Sequence, residues 1–273
     1  MNKINTRIKL FFYTLGHNHL KVILTSIFTT IFAIPAFINS IVYTYLRTDL
    51  TAQYNAEVSE EIKVLLVEKM LQTQTIYNLI NIACIAILFL GICGAVRATT
   101  TMVWREPYVA KEFFTSIKKE WKSFLAVGCV VGLCACAVSM MINIVLVQED
   151  IFACVLLIIF SAVITYFSLS IAMFFCNMTI LYTDKILVRL KNAFLFSIAK
   201  ILPNTLILTL SIIPYILLFL FQFSNFTPLI LVLISIYGFE ISVLATTLYT
   251  HSALDKAVNK TSFPTLYHKG LDN

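Results

Sequence analysis

The sequence predicts an all-α integral membrane protein, a six-helix bundle that forms a single membrane domain over residues 1–273, and three observations lead to this prediction. Of the 273 residues, 59% are hydrophobic and 12% are charged, whereas a soluble domain carries about 25% charged residues. Six apolar stretches are long enough to cross a bilayer, which takes about 20 residues per helix. No stretch alternates apolar and polar residues with a period of two, which argues against a transmembrane barrel.

The predicted spans cover residues about 22–46, 76–96, 123–147, 151–183, 201–223 and 226–250. The first span follows a positive flank like that of a signal peptide. It is too long for one, and no small-residue cleavage site follows it, so we expect it to be retained. All seven cysteines fall inside the predicted spans and are interpreted as small packing residues.

The distribution of basic residues predicts the orientation of the chain. When the 20 Lys and Arg residues are assigned to alternate sides of the six spans, one side receives only Arg47, Lys63 and Lys69. Cytoplasmic loops carry the excess of Lys and Arg in membrane proteins. We therefore expect a multi-pass protein of the cell (cytoplasmic) membrane with both termini in the cytoplasm.

An amphipathic segment precedes the third span. The stretch KEFFTSIKKEW at 111–121 belongs to a predicted cytoplasmic interfacial helix of about 107–122, with an aromatic face and a basic face. This helix either lies among the headgroups, where anionic inner-leaflet lipids attract its lysines, or packs against the ends of its own bundle. The expected membrane-interface anchors are Lys111, Phe113, Phe114, Lys118, Lys119, Trp121 and Lys122, together with Trp104 in the same basic loop.

Two further patterns concern the ends of the spans. A second amphipathic helix is predicted on the external side at about 56–71, as an extension of the second span or a cap over the bundle, with a ligand-binding lid as the alternative. The stretches KLFFYTL (9–15), KEFFTSI (111–117) and NAFLFSI (192–198) resemble one another, and each precedes an outward-going span. They predict amphipathic interfacial helices before these spans and three tandem hairpin units, unless the likeness is a coincidence of composition.

The run from Gly91 to Trp121, GICGAVRATTTMVWREPYVAKEFFTSIKKEW, resembles the YesL-like family of bacterial membrane proteins. In that family a glycine-containing helix end leads to a basic segment, an aromatic pair and a lysine-rich amphipathic helix. Pro35 in the first span also resembles a proline of the family. The resemblance implies a multi-pass protein of the cytoplasmic membrane, often encoded beside carbohydrate uptake and glycan-degradation systems. The activity of the family is not established, so the resemblance implies no functional residues.

Glu240, in GFEIS, is the only ionisable acid inside a predicted span. A charged residue at the centre of a membrane helix costs about 2.5 to 3.5 kcal/mol. The functional hypothesis is a proton-linked or cation-linked site, or a polar contact for a sugar-like solute. The alternative is a protonated or hydrogen-bonded side chain that holds two helices together. Asn78, Asn81 and Asn177 could belong to the same intramembrane polar site, although interhelical hydrogen bonds are the default role of such amides.

The sequence contains no motif that indicates an enzyme. A phosphate-binding glycine loop, a His-Glu-x-x-His helix and a nucleophile elbow are all absent, and we expect neither a metal nor another cofactor. The basic residues are attributed to the membrane surface and not to nucleic acid. We therefore predict a non-enzymatic accessory or regulatory component of solute uptake, with carbohydrate as the solute class and a membrane permease as partner. The alternative is a small transporter or channel with Glu240 in its pathway.

Overall fold

The computed structural model describes residues 4–57, 59–148, 150–220 and 227–272. Every regular element in these ranges is a helix, which confirms the predicted fold class. The elements are α1 (Arg7–His17), α2 (His19–Ala56), α3 (Glu60–Val103), α4 (Val109–Val147), α5 (Ile151–Leu181), α6 (Ile186–Ala199), α7 (Ile201–Leu220), α8 (Thr227–Leu233), a π-helical turn (Ile234–Gly238), α9 (Phe239–Leu254), a second π-helical turn (Asp255–Asn259) and α10 (Lys260–Ser262).

Five helical segments of the described chain are long and apolar enough to cross a membrane. They are His19–Ala56, Glu60–Val103, Val109–Val145, Ile151–Leu181 and Leu229–Ser262. The number rises to six if α6 and α7, which are bent by 97° at their junction, are counted as one broken span. This helix content is that of a multi-pass membrane protein. The end of the predicted fifth span (221–223) and the first residue of the sixth (226) lie outside the described residues.

The contacts divide the chain into two compact units. Unit 1 comprises Met1–Ile31, Leu90–Phe124 and Tyr166–Asn273, and unit 2 comprises Phe32–Phe89 and Leu125–Thr165. In unit 2, α4 approaches α3 closely because Gly128 and Gly132 occupy the contact. A Cβ atom at Gly128 would lie 2.7 Å from the Ala86 Cα, and one at Gly132 would lie 2.9 Å from the Ile82 Cα. Glycines four residues apart permit such backbone approach between membrane helices.

The amphipathic segments fold in three different ways. Residues 7–17 form the separate helix α1, whose first turn is capped by the Thr6 side chain accepting a hydrogen bond from the Lys9 N–H at 3.2 Å. Residues 192–198 lie in α6, before the 97° bend. Residues 111–117 differ, since they belong to the single helix α4.

Two predicted amphipathic helices are continuous with the spans that follow them. The interfacial helix expected at 107–122 and the span expected at 123–147 form one helix from Val109, because no proline or capping residue interrupts the helical chain. The helix expected at 56–71 begins at Glu60 and is the first part of α3, which agrees with the predicted extension of the second span and not with a separate cap.

The two ends of the chain pack together in unit 1. The Asp272 N–H donates to the Ile4 carbonyl oxygen at 2.8 Å, and the Ile4 N–H donates to Asp272 Oδ2 at 2.8 Å. The carboxylate of Asp272 also pairs with Arg105 at 3.0 Å, in the turn between α3 and α4. Arg105 adopts φ = 58°, a left-handed conformation typical of a helix C-terminus, although it is usually glycine there. Its ion pair with the C-terminal segment stabilises this turn.

Candidate functional site

Glu240 lies near the start of α9, directly after the π-helical turn Ile234–Gly238, and its side chain is fully buried. Its Oε1 atom is 2.5 Å from the Thr99 hydroxyl oxygen on α3. The same hydroxyl is 2.8 Å from the Ala95 carbonyl oxygen. No hydrogen-bond partner reaches the Oε2 atom of Glu240 from the residues that the structure describes.

The number of protons available at Thr99 indicates the protonation state of the Glu240 carboxyl group. A threonine hydroxyl has one proton to donate and two lone pairs that accept. If the carboxyl of Glu240 is neutral, its O–H donates to Thr99, and the Thr99 hydroxyl then donates to Ala95. Both short contacts are hydrogen bonds in this arrangement. The geometry therefore fits a protonated glutamic acid that joins α9 to α3.

A row of buried polar side chains continues along the same stretch of chain. It comprises Thr247, Thr250, His251, Asp255 and Asn259. The hydroxyl of Thr247 and Nε2 of His251 are buried without a hydrogen-bond partner among the described residues. Unlike a lipid-facing surface, this side of α9 carries polar groups that need partners inside the protein.

The row ends in an ion pair between distant parts of the chain. Asp255 Oδ2 accepts a hydrogen bond from Arg7 Nη2 at 2.7 Å, and the side chains are 5% and 11% exposed. Asp255 Oδ1 accepts from Asn259 at 2.8 Å, and Asn259 Oδ1 accepts from the Tyr182 hydroxyl at 2.6 Å. Burial raises the pKa of Tyr182, and the nearby charge of Asp255 raises it further. Tyr182 therefore stays a hydrogen-bond donor at neutral pH.

A second polar cluster joins α9 to α5 and to the bend between α6 and α7. Asn204 is fully buried, and its Oδ1 accepts a hydrogen bond from the Tyr249 hydroxyl at 2.5 Å. Its amide nitrogen lies 3.1 Å from the Ser170 hydroxyl and 3.4 Å from the Ser197 carbonyl oxygen. This is the interhelical role by which amides stabilise membrane bundles.

The three other amides predicted for a polar site have separate surroundings. Asn177 is buried in unit 1, where its Nδ2 donates to the carbonyl oxygen of Met173 in its own helix at 2.9 Å. Asn78 and Asn81 belong to unit 2, and Asn81 is half-buried there. Asn78 is buried, accepts a hydrogen bond from Gln74 at 3.2 Å, and lines a largely apolar cavity of about 560 Å³.

The predicted interface anchors divide into buried and exposed residues. Phe113 is fully buried, with its ring 5.4 Å from that of Phe28, and a Cβ atom at Gly94 would lie only 2.6 Å from the Phe113 ring. This residue therefore packs against the bundle. Phe114 is 47% exposed, and Trp121, Lys111, Lys118, Lys119 and Lys122 are exposed as well.

Trp104, the remaining predicted anchor, is half-buried. Its ring centroid lies 3.5 Å from the Lys269 ammonium nitrogen, which also pairs with Glu106 at 3.0 Å. The tryptophan therefore packs against the C-terminal segment of the chain.

Most of the residues around Glu240 are not among those predicted from the sequence. Thr99 stands in a run of three threonines, Thr99–Thr101, all buried. His251, Asp255 and Asn259 recur every four residues, but they lie beyond residue 250, where the predicted sixth span ends, whereas the helical segment continues to Ser262. Their spacing was the available signal that the helix continues. Within the described chain, no group of three His, Cys, Asp or Glu side chains is arranged to hold a metal ion.

Comparisons of this chain with known protein families, with curated proteins and with solved structures return no match.

Proposed function

We propose that this chain is a non-enzymatic multi-pass protein of the cytoplasmic membrane that acts as an accessory or regulatory component of solute uptake by contacting a permease. The observation that carries the proposal is the enclosed position of Glu240. An ionisable residue that lines an open, water-filled pathway is accessible to water, whereas Glu240 is fully buried and bonded to Thr99. Glu240 does not line the polar cavity of about 430 Å³ that includes Arg97, the apolar cavity of about 560 Å³ that includes Asn78, or the cavity beside Arg7 and Asp255.

The proposed class of solute, carbohydrate, is supported by the family resemblance and not by the position of Glu240. Carbohydrate is the solute that the resemblance to the YesL-like family implies, through the uptake systems beside which that family is encoded. Aromatic and amide side chains, such as Tyr43 and Asn78 around the cavity of unit 2, are chemically compatible with a sugar.

The second candidate is a small transporter or channel with Glu240 in its pathway, and one observation favours it. The acid follows a π-helical turn, and such turns occur often at functional sites. Along the same helix, Glu240 Oε2, Thr247 Oγ1 and His251 Nε2 have no partner among the described residues. In a conformation that exposes these side chains to water, all three atoms would form hydrogen bonds with water.

Two measurements separate the candidates. We expect purification in a mild detergent to recover a permease in stoichiometric amount, and liposomes that contain the purified chain alone to show no uptake of labelled sugars. Uptake by the chain alone that disappears in Glu240→Gln, but persists in Thr205→Val, would replace the accessory role with a carrier. Thr205 is an exposed helical residue of α7. Its variant is expressed and purified in the same way, so it shows whether a loss of uptake is specific to Glu240.

The proposed orientation has its own test. Glu60 and Lys118 are both exposed, and the proposal places position 60 outside the cell and position 118 inside. An impermeant maleimide should therefore label Glu60→Cys in intact cells and Lys118→Cys only after permeabilisation. Labelling of both positions in intact cells would refute the orientation. The unsubstituted chain, which has seven cysteines of its own, gives the background.

A further inference from the structure

A polar cavity of about 430 Å³ lies in unit 1, at the end of α3, the start of α4, the end of α5 and the start of α6. The charged residues in its wall are Arg97, Glu112, Lys119, Glu120 and Arg189. Its volume is in the range of small-molecule sites, about 300 to 1,000 Å³. The cavity is separate from Glu240, which is not among its lining residues.

Arg189 is the unusual member of this wall. It is 7% exposed, and its buried Nε atom has no hydrogen-bond partner among the described residues. Its Nη1 atom is 3.5 Å from the Thr179 carbonyl oxygen, and its guanidinium carbon is 5.7 Å from the centre of the Phe175 ring. No carboxylate oxygen of the described chain lies within ion-pair distance of Arg189. A buried charge without a counter-charge is costly.

The neighbouring charges leave the cavity positive. Arg97 is neutralised by Glu112, with Arg97 Nε 2.9 Å from Glu112 Oε2. Lys119 and Arg189 then face the single carboxylate of Glu120. The hydroxyl group of Thr183 adds a donor to the wall, whereas the Thr115 hydroxyl already donates to the Lys111 carbonyl oxygen at 2.8 Å. Anions are therefore favoured at this site over cations.

We propose that this cavity binds a phosphate group, with Arg189 as its main ligand and Lys119 as a second cation. The planar guanidinium donates parallel hydrogen bonds to two phosphate oxygens, and such charge-assisted pairs are among the strongest polar contacts. The phosphate belongs either to a free phosphorylated solute or to the headgroup of an anionic lipid. Both sources present the same oxygens to Arg189.

The competing explanation is that Arg189 only stabilises the end of α5. Carbonyl groups in the last turn of a helix lack partners, and a basic side chain can satisfy them. The Thr179 carbonyl is such a group. In that case phosphate would not bind, and replacement of Arg189 would alter stability alone.

The test is a titration of the purified full-length chain in an uncharged maltoside detergent with inorganic phosphate, at constant ionic strength set with chloride. We expect Arg189→Gln to weaken phosphate binding at least tenfold and Arg189→Lys to weaken it less. The matched control is Lys191→Gln, which removes the same charge from an exposed position of α6 and should change affinity less than twofold. Unchanged affinity in Arg189→Gln, or no binding to the unsubstituted chain, would overturn the proposal.

A second pair of variants tests the phosphate site even if Arg189→Gln fails to fold. Lys119 lines the cavity, whereas Lys118 does not, and both are exposed lysines of α4. Lys119→Gln should weaken phosphate binding about twofold to fivefold, and Lys118→Gln should leave it unchanged. Glu120→Gln should strengthen it, since a carboxylate beside the anion is removed. Equal effects of the two lysine variants would show a nonspecific charge effect and refute the site.

Nanodiscs distinguish the two sources of phosphate. If lipid occupies the site, phosphate should bind at least fivefold more weakly in discs of phosphatidylcholine with phosphatidylglycerol than in discs of phosphatidylcholine with an equal fraction of oleic acid, which carries negative charge without an anionic phosphate headgroup, and Lys119→Gln should reduce that difference. If a free phosphorylated solute is the ligand, the affinity should be the same in both discs. Either result supports the phosphate site, and the absence of phosphate binding in both kinds of disc refutes it.

Discussion

The contact between Thr99 and Glu240 can be tested by its effect on stability. Thr99→Val keeps the volume of the side chain but removes the hydroxyl that lies 2.5 Å from Glu240 Oε1. Interhelical hydrogen bonds in membranes contribute about 0.6 kcal/mol on average and at most about 1.7. Because the other oxygen of Glu240 already lacks a described partner, we expect a loss of about 1.5 kcal/mol, near the upper end.

A double-mutant cycle isolates this contact. Once Glu240→Leu has removed the carboxyl group, Thr99→Val should cost less than about 0.5 kcal/mol, since only the bond of the hydroxyl to the Ala95 carbonyl of its own helix remains. Glu240→Gln should change stability by less than about 1 kcal/mol, because the neutral amide can still donate to Thr99. The measurement is reversible unfolding in mixed dodecyl maltoside and dodecyl sulfate micelles, followed by circular dichroism.

The control is Thr205→Val on α7. Thr205 bonds to the Ile201 carbonyl oxygen at 2.9 Å, as Thr99 does to Ala95, but it is exposed. Its replacement should change stability by about 0.5 kcal/mol or less. If Thr99→Val costs the same with Glu240 as with Leu at that position, the hydrogen bond makes no contribution and the protonated-acid interpretation fails.

Three other changes have outcomes that follow from the contacts of unit 1. Asp255→Asn leaves the Arg7 guanidinium, 11% exposed, without its counter-charge, so thermal unfolding in detergent should show a loss of about 3 kcal/mol; an unchanged melting temperature would contradict the pairing. Gly94→Ala should cost about 1 to 3 kcal/mol in the same assay, because its Cβ would meet the Phe113 ring at 2.6 Å, whereas Gly16→Ala, with nothing within 4 Å, should be neutral or slightly stabilising. Because burial raises the pKa of Tyr182 above its usual value of 10.0, its contribution to stability is complete below pH 10 and decreases as the pH rises beyond it; Tyr182→Phe should flatten that alkaline decrease, and an unaltered slope would assign it to another group.

The division of the amphipathic segments shows the limit of sequence patterns in lipid. Phe113 and Phe114 are adjacent and identical in type, yet one is fully buried and the other 47% exposed. Helical periodicity places them on neighbouring faces but does not tell which face meets another helix. In water the buried face is the apolar one, whereas in a membrane both the lipid-facing and the helix-facing surfaces are apolar.

The sequence by itself determined the helical class and the presence of several apolar helices long enough to cross a bilayer, because both depend on local composition and on the length needed to cross it. It also identified Glu240 as an acid in an apolar helix. Only the tertiary structure decided its partner, since Thr99 is 141 residues away along the chain, and Arg7 meets Asp255 across 248 residues. Which polar groups meet depends on how helices pack, and residue spacing within one helix carries no information about the neighbour that lies against it.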